Sequence, residues 1–246
     1  MYIKSLIAAS AALALVGCAS MHNEAPNAQP LEEQTLATKA ANVLQRQMSR
    51  PENKRIPKAL LASAHCIGVF PSFTKAAFVV GGARGHGIIA CRSRNGQSWN
   101  NASPAFYTLS SGSVGFQAGI QSSSIILLFL TPQATNALTS NDIKFGADVG
   151  IAAGPVGWNA AVNGAPAAVV SYQLNSNGLF AGISLSGSML GYDQTSTSDV
   201  YKNQPVSDPR TVLFQMNTVP SSVNVFNSTL ARYTPPASNS GSMIGR

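Results

Sequence analysis

The sequence is poor in charge. Asp, Glu, Lys and Arg make up 10 % of its 246 residues, where a globular chain normally carries about a quarter. A surface this sparsely charged must be covered by Ser, Asn, Gln and Thr, and a charge-driven disordered chain is excluded. Cysteine is scarce too: Cys18, Cys66 and Cys91 are too few for a small secreted scaffold built on disulfides. The three His residues (His22, His65, His86) are scattered and no C-x-x-C pair exists, so no metal or other cofactor is expected. The five Asp residues, Asp142, Asp148, Asp193, Asp199 and Asp208, lack the spacing of a calcium loop. Asp148 lies in a strand-like run, where a carboxylate hydrogen-bonded within the sheet is the default. Long apolar runs are missing beyond the first residues, and SIILLFL, at seven residues, reads as a strand buried on both faces and not as a membrane span. What remains is 45 % hydrophobic residues, enough for a sizeable core. The 21 Gly and 14 Pro that punctuate them argue against a helical bundle or coiled coil.

Catalytic constellations fail one by one. His65 and Cys66 are neighbours, and on a strand neighbouring side chains point to opposite faces, so they form no nucleophile–base pair. Gly112-Ser113-Val114-Gly115 lacks the spacing of a nucleophile elbow. Gly85-His86-Gly87-Ile88-Ile89-Ala90 resembles a loose dinucleotide fingerprint, but an apolar strand follows where a helix is needed to hold phosphate. A hairpin turn from Gly81 to Gly87 is the expectation there. No enzyme is read from this sequence.

The amino terminus, MYIKSLIAASAALALVGC, has one basic residue, an apolar stretch from Leu6 to Val16 and small residues after it, the pattern of a secretory signal. Leu15-Val16-Gly17-Cys18 resembles a bacterial lipobox. That resemblance implies removal of residues 1–17 and acylation of Cys18 by diacylglycerol and a further fatty acid such as palmitate. Ala19 stands where Asp would retain such a lipoprotein in the inner membrane, so a lipid-anchored place in the bacterial cell envelope, at the outer membrane, is expected. Residues 18–31 read as a tether, residues 32–233 as one domain, and residues 234–246 as a flexible tail.

Within the domain, Leu36, Ala40, Val43, Leu44 and Met48 fall at helical spacing between Glu32 and Arg50, closed by Pro51. Lys39, Arg46 and Arg50 sit off that stripe, either as a solvated back or as a face that touches headgroups. Ile56–Leu61 reads as a second short helix with Pro57 in its first turn. From Cys66 onward, ten short apolar runs bounded by Gly, Ser, Asn or Pro recur about every ten residues, an all-β signature. Glycines within them suggest bulges and strong curvature. Pro220 to Ala231 reads as a terminal amphipathic helix. The expected fold is α+β: a mainly antiparallel, strongly curved or barrel-like sheet with short N-terminal helices and a C-terminal amphipathic helix. The runs near 66–70, 76–82 and 87–91 read as a meander, which would hold Cys66 and Cys91 about 9–10 Å apart and unpaired; the alternative is that the first strand pairs differently or the sheet closes and brings the two together.

The basic residues are concentrated. Residues 39–94 carry ten against Glu52 alone, while residues 95–246 carry five of each sign. Such a block faces something anionic or is simply solvated.

Four blocks in order resemble one family. IPKALLASAHCIGVFPSFTKAAFVVGGARGHGIIACR, SPAFYTLSSGSVGFQAGIQ, FGADVGIAAGPVGW and VVSYQLNSNGLFAGISLSGSML, which carry a resemblance over residues 56–232, are similar to the SYLF domain of bacterial envelope proteins and eukaryotic membrane–actin adaptors. The resemblance implies phosphoinositide-type lipid binding, which in eukaryotic relatives is attributed to basic, amphipathic amino-terminal residues. Ser123-Ser124 departs from the family, whose members often carry Asp there. The resulting expectation is a membrane-anchored lipoprotein binding anionic lipid headgroups through Lys54, Arg55, Lys58, Lys75, Arg84, Arg92 and Arg94. The alternative is a non-catalytic structural or protein-interaction lipoprotein of the outer membrane. Its partners are then membrane lipids reached through Cys18, and no nucleic acid.

Overall fold

The computed structural model of the chain describes residues 29–93, 98–154, 161–162, 165–175 and 185–235. It opens with helix α1 (Gln29–Met48), which starts three residues before the expected boundary. Its buried residues Ala37, Ala40, Val43, Leu44 and Met48 recur every three or four positions and build one apolar stripe. Glu32 in the first turn and Arg46 in the last complement the helix dipole. Pro51 ends the run and leads through a 3-10 turn (Glu52–Lys54) to α2 (Lys58–Ser63), whose Leu60 and Leu61 are buried. Pro57 stands immediately before α2.

Two very long strands follow, β1 (Cys66–Cys91) and β2 (Ala105–Phe129), paired antiparallel from Cys66↔Phe129 to Ile89↔Ala105. Six of the expected short runs are therefore two strands. The ribbon they form doubles back on itself. Residues equidistant from the bend meet: Cys66 with Cys91, Gly68 with Ile89, Phe70 with Gly87, Phe73 with Gly85. The register slips twice, between Phe70 and Phe73 and between Ala77 and Val79, the second slip lying at the bend. A β-carbon on Gly85 would stand 2.5 Å from the Ser72 carbonyl oxygen, and one on Gly87 would enter the Phe70 ring. These glycines let two halves of one strand touch.

The expected hairpin turn at Gly81–Gly87 is thereby corrected. That stretch is continuous strand, running from Gly81↔Ser113 to Gly87↔Tyr107. A two-residue hairpin turn needs φ > 0, and among the described residues the glycines with positive φ are Gly146 and Gly187. The expectation of free Cys66 and Cys91 falls for the same reason. They form a disulfide, with Cα atoms 3.9 Å apart. A flat meander would have kept them two strand spacings apart, but the folded ribbon brings its ends together. The Arg92 amide also donates to the His65 carbonyl at 2.8 Å, closing the ring beside the disulfide.

After β2 come α3 (Pro132–Ala137), β3 (Asp142–Lys144), β4 (Ile151–Ala153), the small pair β5 (Ala161–Val162) and β6 (Ala165–Pro166), β7 (Val169–Asn175), β8 (Met189–Tyr192), α4 (Gln194–Tyr201), a π-helical turn (Thr211–Gln215) and α5 (Asn224–Tyr233). The main sheet has the order β3-β8-β2-β7-β4, with β1 also on β2. All described pairs between its strands are antiparallel except β4 with β7. The result is a curled mixed sheet forming half a barrel, an α+β fold as expected. Asp148 bonds as foreseen, accepting from the Lys144 amide at 2.7 Å, but it does so in a turn after β3 and not within a strand.

Two cores lie on opposite faces of the sheet, and β2 feeds both by alternation. Ile126 and Leu128 join α1, α2 and α5 through Leu44, Leu61, Phe226 and Leu230. Ile125, Leu127 and Phe129 join Phe70, Tyr107, Leu190 and Leu213 on the other side. The five residues Ile125 to Phe129 are all fully buried, each contributing about 1.5–3 kcal/mol of hydrophobic stabilisation. This is the SIILLFL run, buried on both faces as its lack of polar residues implied.

Candidate functional site

On α1, Thr35, Lys39, Asn42 and Arg46, with Ser49 just past its end, follow one another at three- and four-residue steps, so they line one polar stripe opposite the buried one. That stripe forms one wall of an open groove of about 730 Å³. Lys39, Asn42, Gln45 and Arg46 contribute from α1 and Ser49 from just beyond it, and Pro71 and Ser72 of β1 close the other side. Pro71 and Ser72 occupy the first register slip of β1, where the strand bulges away from the ladder. Ser124 Oγ donates to the Pro71 carbonyl at 2.7 Å and fixes that wall. Its neighbour Ser123 accepts from Gln173 Nε2 at 2.9 Å. Ser123-Ser124, where the family pattern often has Asp, thus serves as a buried tie behind the groove. A smaller hollow at Glu32, Thr35, Leu36 and Lys39 continues the groove along the helix.

The residues nominated from sequence are not gathered into one place. Lys54 and Lys58 are exposed on the 3-10 turn and at the start of α2. Gln47 donates to the Lys54 carbonyl at 3.3 Å and so ties that turn to the end of α1. Arg55 is half-buried and committed to Glu52 at 3.0 Å. Lys75 is half-buried and Arg84 exposed on β1, and Arg84 precedes the glycine that lies against Ser72. Arg94 and Cys18 lie outside the described residues.

Arg92 is a correction to the surface reading. It is buried, donating Nε to the Ala64 carbonyl at 2.9 Å and a terminal nitrogen to Leu61 and Pro235 carbonyls at 3.2 and 2.7 Å. Its guanidinium stacks 4.6 Å from the Trp99 ring centre. Burial lowers its pKa from the ordinary value, yet an arginine stays charged in proteins. Arg92 therefore caps the end of α2 and holds the chain after α5. Lys39 and Arg46, which the sequence offers only as a solvated back or a headgroup face of the helix and not among the named contacts, line the groove. Their seven-residue spacing, two helical turns, was the available signal.

Elsewhere three phenols are locked in structural bonds. Tyr107, Tyr192 and Tyr201 donate to the carbonyls of Leu138, Val206 and Pro104 at 2.9, 2.5 and 2.8 Å. Burial pushes all three phenols up, Tyr192 to about 12, so they remain donors. His86 approaches Asp193 at 3.5 Å, and Ser196 donates to the same carboxylate at 3.1 Å. That order differs from a catalytic triad, in which the serine bonds the imidazole. Among the described residues no group of three or more His, Cys, Asp or Glu is placed to hold a metal. No described helix is long and apolar enough to cross a membrane.

The sequence profile of the Ysc84 family, described as Las17-binding protein actin regulator, matches residues 110–233, just over half the chain. The chain belongs to the Ysc84, or SYLF, family. Human SH3 domain-containing YSC84-like protein 1 is 33 % identical over 142 residues, covering 56 % of this chain and 40 % of the human protein. LAS seventeen-binding protein 3 of Saccharomyces cerevisiae (strain ATCC 204508 / S288c) is 30 % identical over 141 residues, covering 55 % and 30 %. Protein YSC84 of the same yeast is 29 % identical over 163 residues, covering 62 % and 34 %. This SYLF chain thus spans less than half the length of each of these relatives. In it the matched region contains most of β2, the strand that carries both cores, and runs to the end of α5.

Proposed function

We propose that this SYLF protein is a bacterial envelope lipoprotein, held by acylated Cys18, whose domain binds anionic lipid headgroups along the α1 groove. The observation that carries the reading is the groove itself: two exposed cations, Lys39 and Arg46, stand beside the amides and hydroxyls of Asn42, Gln45, Ser49 and Ser72. Cations flanked by neutral donors are the chemistry that holds a phosphate. Lys54 and Lys58 follow along the chain and extend the basic surface, with Lys75 and Arg84 as further candidate contacts. Each cation near a charged membrane contributes about 1 kcal/mol, so a patch of this size binds weakly by itself. An acyl anchor at Cys18 would hold the groove at high effective concentration over the outer membrane. Headgroup binding is a non-catalytic role, and it needs no cofactor.

Vesicle pelleting of the protein lacking the Cys18 anchor tests this. Binding to anionic but not neutral vesicles at low salt is expected. Lys39→Glu with Arg46→Glu should weaken it about tenfold or more, and Lys54→Glu with Arg55→Glu should weaken it less. Equal binding to neutral vesicles, or indifference to both charge reversals, favours the alternative of a structural or protein-interaction lipoprotein.

A further inference from the structure

Ile120 is 82 % exposed, the most open large apolar side chain among the described residues. It lies on β2 opposite Ala76, itself exposed, where the ribbon of β1 and β2 approaches its bend. β7 leaves β2 at Ser123 and β8 leaves it at Ser110, so among the described strands β1 alone pairs with β2 between those points. Residues 76–83 and 111–120, which make up this part of the ribbon, carry no charge, and their sequence adds Phe78, Val79, Val80, Val114 and Phe116 to Ile120. One exposed Ile is ordinary. What singles this one out is the charge pattern around it. No Asp or Glu occurs between Glu52 and Asp142, so the whole ribbon is free of acid. The cations nearest the bend are Lys75, half-buried, and Arg84, exposed. Gly85 lies against Phe73 across the doubled ribbon, so Arg84 and Lys75, one and two residues further on, stand at similar heights on its two arms.

An uncharged, apolar bend with a cation on each arm and no acid complements a bilayer whose headgroups are anionic. An acidic protein surface would match the cations but leave Ile120 against polar groups. We propose that the bend of the β1–β2 ribbon enters one leaflet of an anionic bilayer, burying Ile120 in the acyl region while Lys75 and Arg84 stay among the headgroups. From either cation to the middle of the bend is four or five residues, at most about 13–17 Å of strand. The hydrocarbon of one leaflet is about 15 Å deep, half of a core of about 30 Å, so the bend reaches into one leaflet and does not span. The ladder between β1 and β2 pairs backbone groups there, which lowers the cost of taking them out of water. Cations on long side chains stay at the interface while their stems follow the apolar surface. Ser72, in the groove wall, precedes Lys75 by three residues, so groove and bend are neighbours along one strand. This inference rests on the membrane reading above, but it assigns the apolar contact to a place other than the groove.

The full chain with Cys18→Ser and Ile120→Cys takes a single NBD fluorophore, because Cys66 and Cys91 are paired. With vesicles of phosphatidylglycerol and phosphatidylcholine, its emission should move to the blue and be quenched by lipids spin-labelled in the acyl chain. The same label at Ser228→Cys, exposed on α5, should be quenched little. Ile120→Asp in the unlabelled chain changes an exposed side chain and should leave Tm in place. It should weaken vesicle binding about tenfold and remove the share of binding that survives high salt, since salt screens the cations and leaves apolar burial intact. Vesicle-bound protein whose label on the bend is quenched no more than the one on α5 would overturn the insertion and leave the groove standing. Binding that falls with Ile120→Asp but ignores Lys39→Glu with Arg46→Glu would keep the bend and remove the groove. No binding to anionic vesicles would overturn both. A change from dimer to monomer in Ile120→Asp, with vesicle binding unaltered, would overturn the insertion and assign the bend to a second copy of the chain.

Discussion

The basic block of this chain divides into two regions with opposite fates. Between residues 39 and 58 the cations ride on helices and a 3-10 turn, and Lys39, Arg46, Lys54 and Lys58 all reach solvent. Between residues 75 and 92 the chain is strand, and the charges range from exposed Arg84 to Arg92, which is 7 % exposed. A surface helix gives a long side chain an outward face at every polar position. A strand that doubles back has its ends in the core, so a cation there must find carbonyls. The same residue type thus supplies a groove wall at Arg46 and an internal brace at Arg92.

Exchanging the roles of these residues gives the largest effect. Arg92→Ala should remove the donors to Leu61, Ala64 and Pro235 and the stack on Trp99. Leaving buried carbonyls unpaired costs about 1–3 kcal/mol each at most, and a fall in Tm of roughly 6–12 °C is expected in calorimetry. Lys39→Ala with Arg46→Ala, by contrast, should leave Tm almost unmoved. A comparable loss from the exposed pair would break the distinction.

Next comes the clasp beside Arg92. Replacing Cys66 and Cys91 by Ala together should cost about 3 kcal/mol, because the bond closes a loop of some 25 residues. Urea unfolding would show it as a lower midpoint. An unchanged midpoint would mean that packing alone holds the folded ribbon.

The smallest effect belongs to Arg55. Its pair with the exposed Glu52 is a surface contact, so Arg55→Ala should shift stability by less than about 1 kcal/mol. A larger loss would move Arg55 from the helical region's behaviour to that of Arg92.

The sequence revealed what depends on short-range periodicity. The α1 stripe, the amphipathic α5 and the doubly buried run from Ile125 to Phe129 each carry their pattern within a dozen residues. The long strands were hidden because Gly81, Gly82, Gly85 and Gly87 look like turn residues, although each keeps an extended conformation in β1. For Gly85 and Gly87 the reason for being glycine is contact with Phe70, Ser72 and Phe73 from the far half of the strand. The disulfide was illegible for the same cause, since it records where the ribbon closes and not the spacing between cysteines. Half of the groove was visible, as polar positions on α1. The other half depends on a bulge at Pro71 and Ser72 that no local pattern announces.

The bond between Cys66 and Cys91 also makes residues 66–91 a covalent macrocycle. A protease cutting once anywhere inside that ring opens it without releasing a fragment, and the two new ends stay linked through sulfur. The bend of the ribbon can therefore be nicked while the two parts of the chain stay together on a non-reducing gel and separate only when a thiol is added. In an environment rich in proteases, such a domain fails by losing its bend and not by losing its connectivity.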